Sequence, residues 1–177
     1  MAGCAKCQNG GSSHHHSSHD HKSRHKKDKK DKKKDDKKKK DRPTPPPPGE
    51  TFRAELRGTS EVPPVQTTAF GRAEVRLSAD ETYLTYRVRV ENVSTMVLGG
   101  NFHLGQAGRN GPIIKKLNAF GRRRDTFTSE GFWRFSDSEP LTSRLIQELK
   151  AGNIYVNVQT SGVPSGEVRG QLNLIVY

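Results

Sequence analysis

The chain has 177 residues and a formal net charge of +12, with 31 Lys+Arg against 19 Asp+Glu. No stretch of 18 apolar residues occurs, which excludes a membrane-spanning helix. Residues 1–49 hold 15 of the Lys+Arg, 6 of the Asp+Glu and 6 of the 7 His, so this segment carries +9 and the remainder only +3. The charge therefore belongs to an attached arm and not to a basic groove across a folded domain.

Between Gln8 and Glu50 there is no Leu, Ile, Val, Met, Phe, Tyr or Trp. Such a stretch has nothing to bury that would offset the entropy lost on ordering, so residues 1–49 are expected to form a disordered His/Lys/Pro-rich tail. The start, Met1-Ala2-Gly3-Cys4, looks like the end of a lipobox, but no apolar segment precedes it and no signal peptide is visible. Both cysteines, Cys4 and Cys7, lie in the tail with His14, His15, His16, His19, His21 and His25. Neutral imidazoles and thiolates of this kind hold Zn, Ni or Cu weakly, although one Cys-x-x-Cys lacks the second pair of a structural zinc module.

Residues 26–41 contain 11 Lys and 5 Asp. That excess of lysine attracts anionic polymers or surfaces through counterion release. Nucleic acid is the less favoured partner, because the tail has no aromatic for base stacking and its acids dilute the charge. Residues 43–48, Pro-Thr-Pro-Pro-Pro-Pro, favour extended polyproline II and read as a spacer ahead of a domain over residues 50–177.

From residue 51 the period is two, the mark of strands with one buried and one solvated face. Residues 51–58 put Phe52, Ala54 and Leu56 inward, and residues 71–78 do the same with Ala73, Val75 and Leu77. Residues 82–91 place Leu84, Tyr86, Val88 and Val90 on one face and Arg87 and Arg89 on the other. Further strands are expected at 96–103, 113–117, 132–135, 154–159 and 167–176, about eight in all. In the sixth of these eight, residues 132–135, alternation pairs Trp133 with Phe135 as the buried side. One helix interrupts the strands: Ser138 is its expected N-cap, Pro140 suits the first turn, and Leu141, Leu145, Ile146 and Leu149 form a stripe closed by Gly152.

Residues 101–112, Asn-Phe-His-Leu-Gly-Gln-Ala-Gly-Arg-Asn-Gly-Pro, read as a structured loop whose glycines and Asn110 permit tight turns. It is no phosphate loop, since no Lys-Ser/Thr pair follows. His103 is the only histidine of the domain. Alone, it offers one metal ligand where a bare site needs three or four, and a general base without a nucleophile in view. Arg122, Arg123 and Arg124 either bind phosphate or anionic glycan through guanidinium forks or form a solvated hairpin tip. Glu61, Asn157, Glu167, Arg169 and Gln171 either line a ligand surface or satisfy loop backbone. For Glu167 and Arg169 the plain alternative is an exposed pair on one strand face.

Four blocks together resemble the CHRD domain family, named for chordin: residues 52–56 running into 61–65, the loop 101–112, residues 149–160, and Pro164-Ser165-Gly166-Glu167-Val168-Arg169-Gly170-Gln171-Leu172. The resemblance implies an all-β fold, an antiparallel immunoglobulin-like β-sandwich or barrel, and a non-enzymatic binding or structural module. It also implies an extracellular, cell-envelope or spore-surface location, with the cytoplasm left open by the missing signal peptide. No cofactor comes with it, and a protein or glycan ligand on the domain is the expected partner, with His103, Asn110, Arg122–Arg124, Asn157, Glu167 and Arg169 as candidate contacts. The family commonly has His-x-His at 101–103 and Val-His-Thr at 158–160, where this chain has Asn101-Phe102-His103 and Val158-Gln159-Thr160. Those departures weigh against a superoxide-dismutase-like metalloenzyme, the third reading after a surface module and a metal-binding tail.

Overall fold

The computed structural model describes residues 49–118, 120–123 and 125–176, with 120–123 described by their backbone alone. Among the described residues ten strands follow one another: β1 Thr51–Arg57, β2 Phe70–Leu77, β3 Tyr83–Glu91, β4 Val97–Leu104, β5 Ile113–Lys116, β6 Phe120–Arg123, β7 Thr126–Arg134, β8 Ile154–Thr160, β9 Val168–Gln171 and β10 Asn173–Leu174. A single α-helix among the described residues, α1 Ser143–Lys150, lies between β7 and β8. The strands form one sheet in the order β5-β4-β8-β9-β1-β2-β3-β7-β6, with β10 also on β1, and every pairing is antiparallel.

The all-β antiparallel architecture expected from the alternation is present. Phe52, Ala54, Leu56, Ala73, Val75, Leu77, Leu84, Tyr86, Val88 and Val90 are all buried, as their period of two requires. Strands β4 and β7 stand near opposite ends of the order, yet Phe102 of β4 stacks on Trp133 of β7 at 5.5 Å and meets the edge of Tyr86 of β3 at 5.4 Å. Only a sheet that curls over itself brings these rings together, and the curl encloses the core between its two halves.

The halves join at one point in the register, Arg57 opposite Arg169. Here Gly170 matters: a Cβ at this position would lie 2.4 Å from the Glu55 carbonyl oxygen, so only glycine lets β9 come this close to β1.

Four local expectations are corrected. Phe135 is 73% exposed while Trp133 is buried, because the ladder with β3 ends at Arg134 opposite Tyr83 and the alternation stops with it. The helix N-cap is Thr142 and not Ser138; the Thr142 hydroxyl accepts from the Leu145 amide at 3.3 Å. Residues 135–141 instead form a turn tied down by side chains. Asp137 accepts from the Arg134 amide and from Lys115 Nζ, each at 3.0 Å, and Trp133 Nε1 donates to the Glu139 carbonyl at 2.6 Å. Strand β7 begins at Thr126, six residues earlier than its apolar residues signal, since its inward position 129 is a serine that donates to the Asn118 carbonyl. Last, the stretch 167–176 splits into β9 and β10 at buried Leu172, whose amide turns to the Ile154 carbonyl at 3.0 Å.

Candidate functional site

On strands β4, β8 and β9 the core takes Phe102, Val156, Val158 and Val168, and the opposite face is polar. Register aligns that face in two rows. His103, Tyr155 and Gln171 stand side by side in one, and Asn101, Asn157 and Arg169 in the other. Two segments fold over the rows, the 58–65 turn and the 105–112 loop, and their backbone groups meet the side chains beneath.

Arg169 organises the loop. Only 2% exposed, it donates from Nη2 to the carbonyls of Gln106 and Arg109 at 3.0 and 2.8 Å, and from Nη1 to Asn110 Oδ1 at 3.1 Å. Its guanidinium lies 3.4 Å from the centre of the Tyr155 ring. Asn110 in turn donates to the Val62 carbonyl at 2.8 Å and so ties the loop to the turn. The Tyr155 hydroxyl accepts from the Gly111 amide at 3.0 Å, and Gln171 Nε2 donates to the carbonyls of Gly105 and Gly152.

His103 stacks on the other face of Tyr155 at 4.8 Å, and its Nδ1 lies 2.9 Å from the Gly111 carbonyl. A carbonyl accepts only, so Nδ1 carries the proton and Nε2 keeps a bare lone pair. Burial pushes this imidazole below its ordinary value; the Gly111 carbonyl works the other way, and Arg169 adds to the depression. His103 is thus a neutral ring held as a spacer between sheet and loop.

Glu61 enters from the turn. It is 6% exposed, receives Asn157 Nδ2 on both carboxylate oxygens at 3.2 Å, and is pushed up to about 7 by burial, against the pull of Arg169. Asn157 Nδ2 also reaches the Ser165 carbonyl. This convergence depends on Gly166, whose φ is +137° and whose missing Cβ would lie 2.1 Å from Asn157 Nδ2.

The residues singled out from sequence therefore divide. His103, Asn110 and Arg169 converge around Tyr155, and Asn157 joins them through Glu61. Glu167 does not join and does not pair with Arg169. It is wholly buried among Thr67, which donates at 2.5 Å, and the Ser94 amide at 3.1 Å. Burial alone would raise it, but hydrogen bonds from Thr67, Ser94 and Thr160 outweigh that and hold it below the usual carboxylate range. An exposed Glu167–Arg169 pair is thus replaced by two separate buried anchors.

Arg122 and Arg123 fall on β6, opposite Phe127 and Thr126 of β7. Their side chains, Arg124, and the tail residues Cys4, Cys7, His14, His15, His16, His19, His21 and His25 lie outside the described residues. Tyr155 and Gln106 are the contributors that sequence reasoning missed. The visible trace of Tyr155 was its place as an aromatic at a polar-face position of β8.

Chemically, the layer holds a loop. Its buried polar atoms without a hydrogen-bond partner among the described residues are His103 Nε2, Asn157 Oδ1 and Gln171 Oε1, all of them acceptors. The two positions where imidazoles are replaced, Asn101 and Gln159, face each other as an amide pair at 3.2 Å. Among the described residues no three His, Cys, Asp or Glu side chains gather as metal ligands. A shallow groove of about 400 Å³ between Glu61, Val62, Pro64, Ala107, Gly108 and Arg169 marks where the turn and loop meet.

The family model described as CHRD domain matches residues 52–172. No curated protein matches the chain, and no solved structure does.

Proposed function

The chain belongs to the CHRD domain family, and from that membership we propose that it is a non-enzymatic surface module of the cell envelope, spore coat or extracellular space, tethered through its lysine-rich segment. CHRD domains are generally structural, extracellular units. The observation that carries the reading here is the fate of the polar residues on β4, β8 and β9. Arg169, Asn110, Tyr155 and Gln171 spend their hydrogen bonds on the backbone of the 105–112 loop and the adjoining turns, so they support a fixed surface and do not converge on a reacting atom. The eleven lysines of residues 26–41 supply the tether, binding anionic envelope polymer by counterion release.

Fractionation tests this. Full-length protein is expected in the envelope or surface fraction and to be released by salt, and a version lacking residues 1–42 is expected to be held more weakly and released at lower salt. Recovery of both versions wholly in the soluble cytosol contradicts the tether.

A further inference from the structure

The outer face of β1, β2, β3 and β7 bears seven arginines, no lysine and four glutamates. Five of the arginines form ion pairs: Arg53 and Arg76 with Glu74, Arg72 with Glu55, Arg87 with Glu130, and Arg89 with Glu91, at 2.7–3.0 Å. Arg57 and Arg134 complete the set. Exposed pairs of this type add little stability, so stability alone gives no reason for choosing arginine seven times.

Geometry supplies one. In four pairs the carboxylate sits against Nε, and in the fifth, Arg76, both Nε and Nη2 face it. A carboxylate at Nε takes the side edge of a guanidinium and leaves the end-on fork for another acceptor. In every pair the arginine is also the more exposed partner, 72% against 49% for Arg87 and Glu130. The glutamates thus form an inner tier that aims an outer tier of guanidinium forks at solvent. Within it Arg72 and Arg89 stand directly opposite each other, a like-charge neighbour pair that is unfavourable in the free protein and relieved by a bound anion. Beside them runs an open groove of about 1140 Å³, bordered by Arg76, Arg87, Arg134, Glu74 and Glu130.

We propose that this arginine face binds an acidic polysaccharide. The reading builds on the surface-module function and assigns the domain, as distinct from the tail, its own contact with the polymer. The forks suit carboxylate or sulfate groups, and the glutamates between them suit hydroxyl donors. An acidic sugar chain offers both kinds of group, whereas the phosphodiester backbone of DNA offers acceptors only and has no donor for the glutamates.

The test uses the full chain on a dextran sulfate column, with a single-stranded DNA column in parallel. Exchanging Arg72, Arg76, Arg87 and Arg89 together for Lys preserves net charge and tail, and removes only the forks. Binding to dextran sulfate is expected to weaken by about tenfold, with elution at lower salt, while the Arg144→Lys exchange on α1 leaves elution unchanged. Retention of the quadruple variant equal to wild type overturns the proposal and leaves the tail tether standing. Failure of wild type to be retained at low salt overturns both. Tighter binding to DNA, lost in the same variant, overturns the polysaccharide assignment in favour of nucleic acid.

Discussion

Replacing Arg169 with Ala is expected to destabilise the domain by about 3–4 kcal/mol, because three acceptors lose their donor together and Tyr155 loses its packing partner. A hydrogen bond to a charged group contributes roughly 1.5–3 kcal/mol, and the discount here is that opened loop carbonyls regain water. Arg169→Lys should recover less than half of the loss. Its ammonium keeps the charge but cannot span Gln106, Arg109 and Asn110 or lie flat on a ring. Urea unfolding measures the cost, and limited proteolysis should cut the variant within residues 105–111 before the rest of the domain opens. A loss under about 1 kcal/mol with an uncut loop would show that residues 105–112 hold their shape without this anchor.

The second large effect is a pH dependence centred on Glu61. Its carboxyl rises from an ordinary 4.5 to about 7 in the fold, so the native state holds a proton that the unfolded chain releases. The corresponding stability is complete below pH 4.5 and is lost as pH climbs to about 7, on the order of 3 kcal/mol in all. His103 acts in the opposite direction. Depressed below 6.5, it favours the fold above that pH and withdraws its contribution as pH falls through its native value. Glu167, Glu74, Asp80 and Asp137 are all lowered, so their contributions disappear only below their ordinary values of 4.5 or 3.8, outside this window. Glu61→Gln isolates the term, since an amide mimics the protonated carboxyl at every pH. Relative to this variant, wild type should lose stability steadily between pH 4.5 and 7 and then level off. A difference that stays flat from pH 5 to 8 would mean that Glu61 ionises freely and that the 58–65 turn is not clamped down on the polar layer.

Much of the fold was legible because its signal is local. In β1, β2 and β3 each inward residue is apolar and nearly each outward one charged, and the period alone sets the faces. The signal fails where a strand breaks its own rule. Ser129 and Gly131 on the inner side of β7 hide its first half, and the turn after Arg134 carries Phe135 out to solvent. The helix start was displaced for a related reason: Ser138 and Pro140 look like a cap and first turn, yet Asp137 and Glu139 are already committed to Lys115 and Trp133, so the chain reaches Thr142 before it can wind.

The polar layer was half visible. His103, Asn110, Asn157 and Arg169 stood out as polar residues at unusual places, but the contacts that join them span the chain: Asn110 meets Arg169 across 59 positions and Glu61 meets Asn157 across 96. Contacts of that separation depend on how the sheet closes, which periodicity does not encode. The arginine face shows the converse. Its outward positions could be read directly, yet three of the five pairings that aim the forks, Arg53–Glu74, Arg72–Glu55 and Arg87–Glu130, depend on strand register.

Two faces of the domain divide the roles: the conspicuous polar layer is scaffold, and the plain outer face of β1, β2, β3 and β7 is where a polymer docks. Backbone and arginine side-chain NMR shifts recorded as a sulfated oligosaccharide is titrated into the full-length protein test this most directly. The changes should gather on Arg72, Arg76, Arg87 and Arg89 and leave His103, Asn110, Tyr155 and Arg169 still. Changes concentrated on residues 103–112 and Arg169, with the outer strands silent, would reverse the assignment and make the loop the binding site.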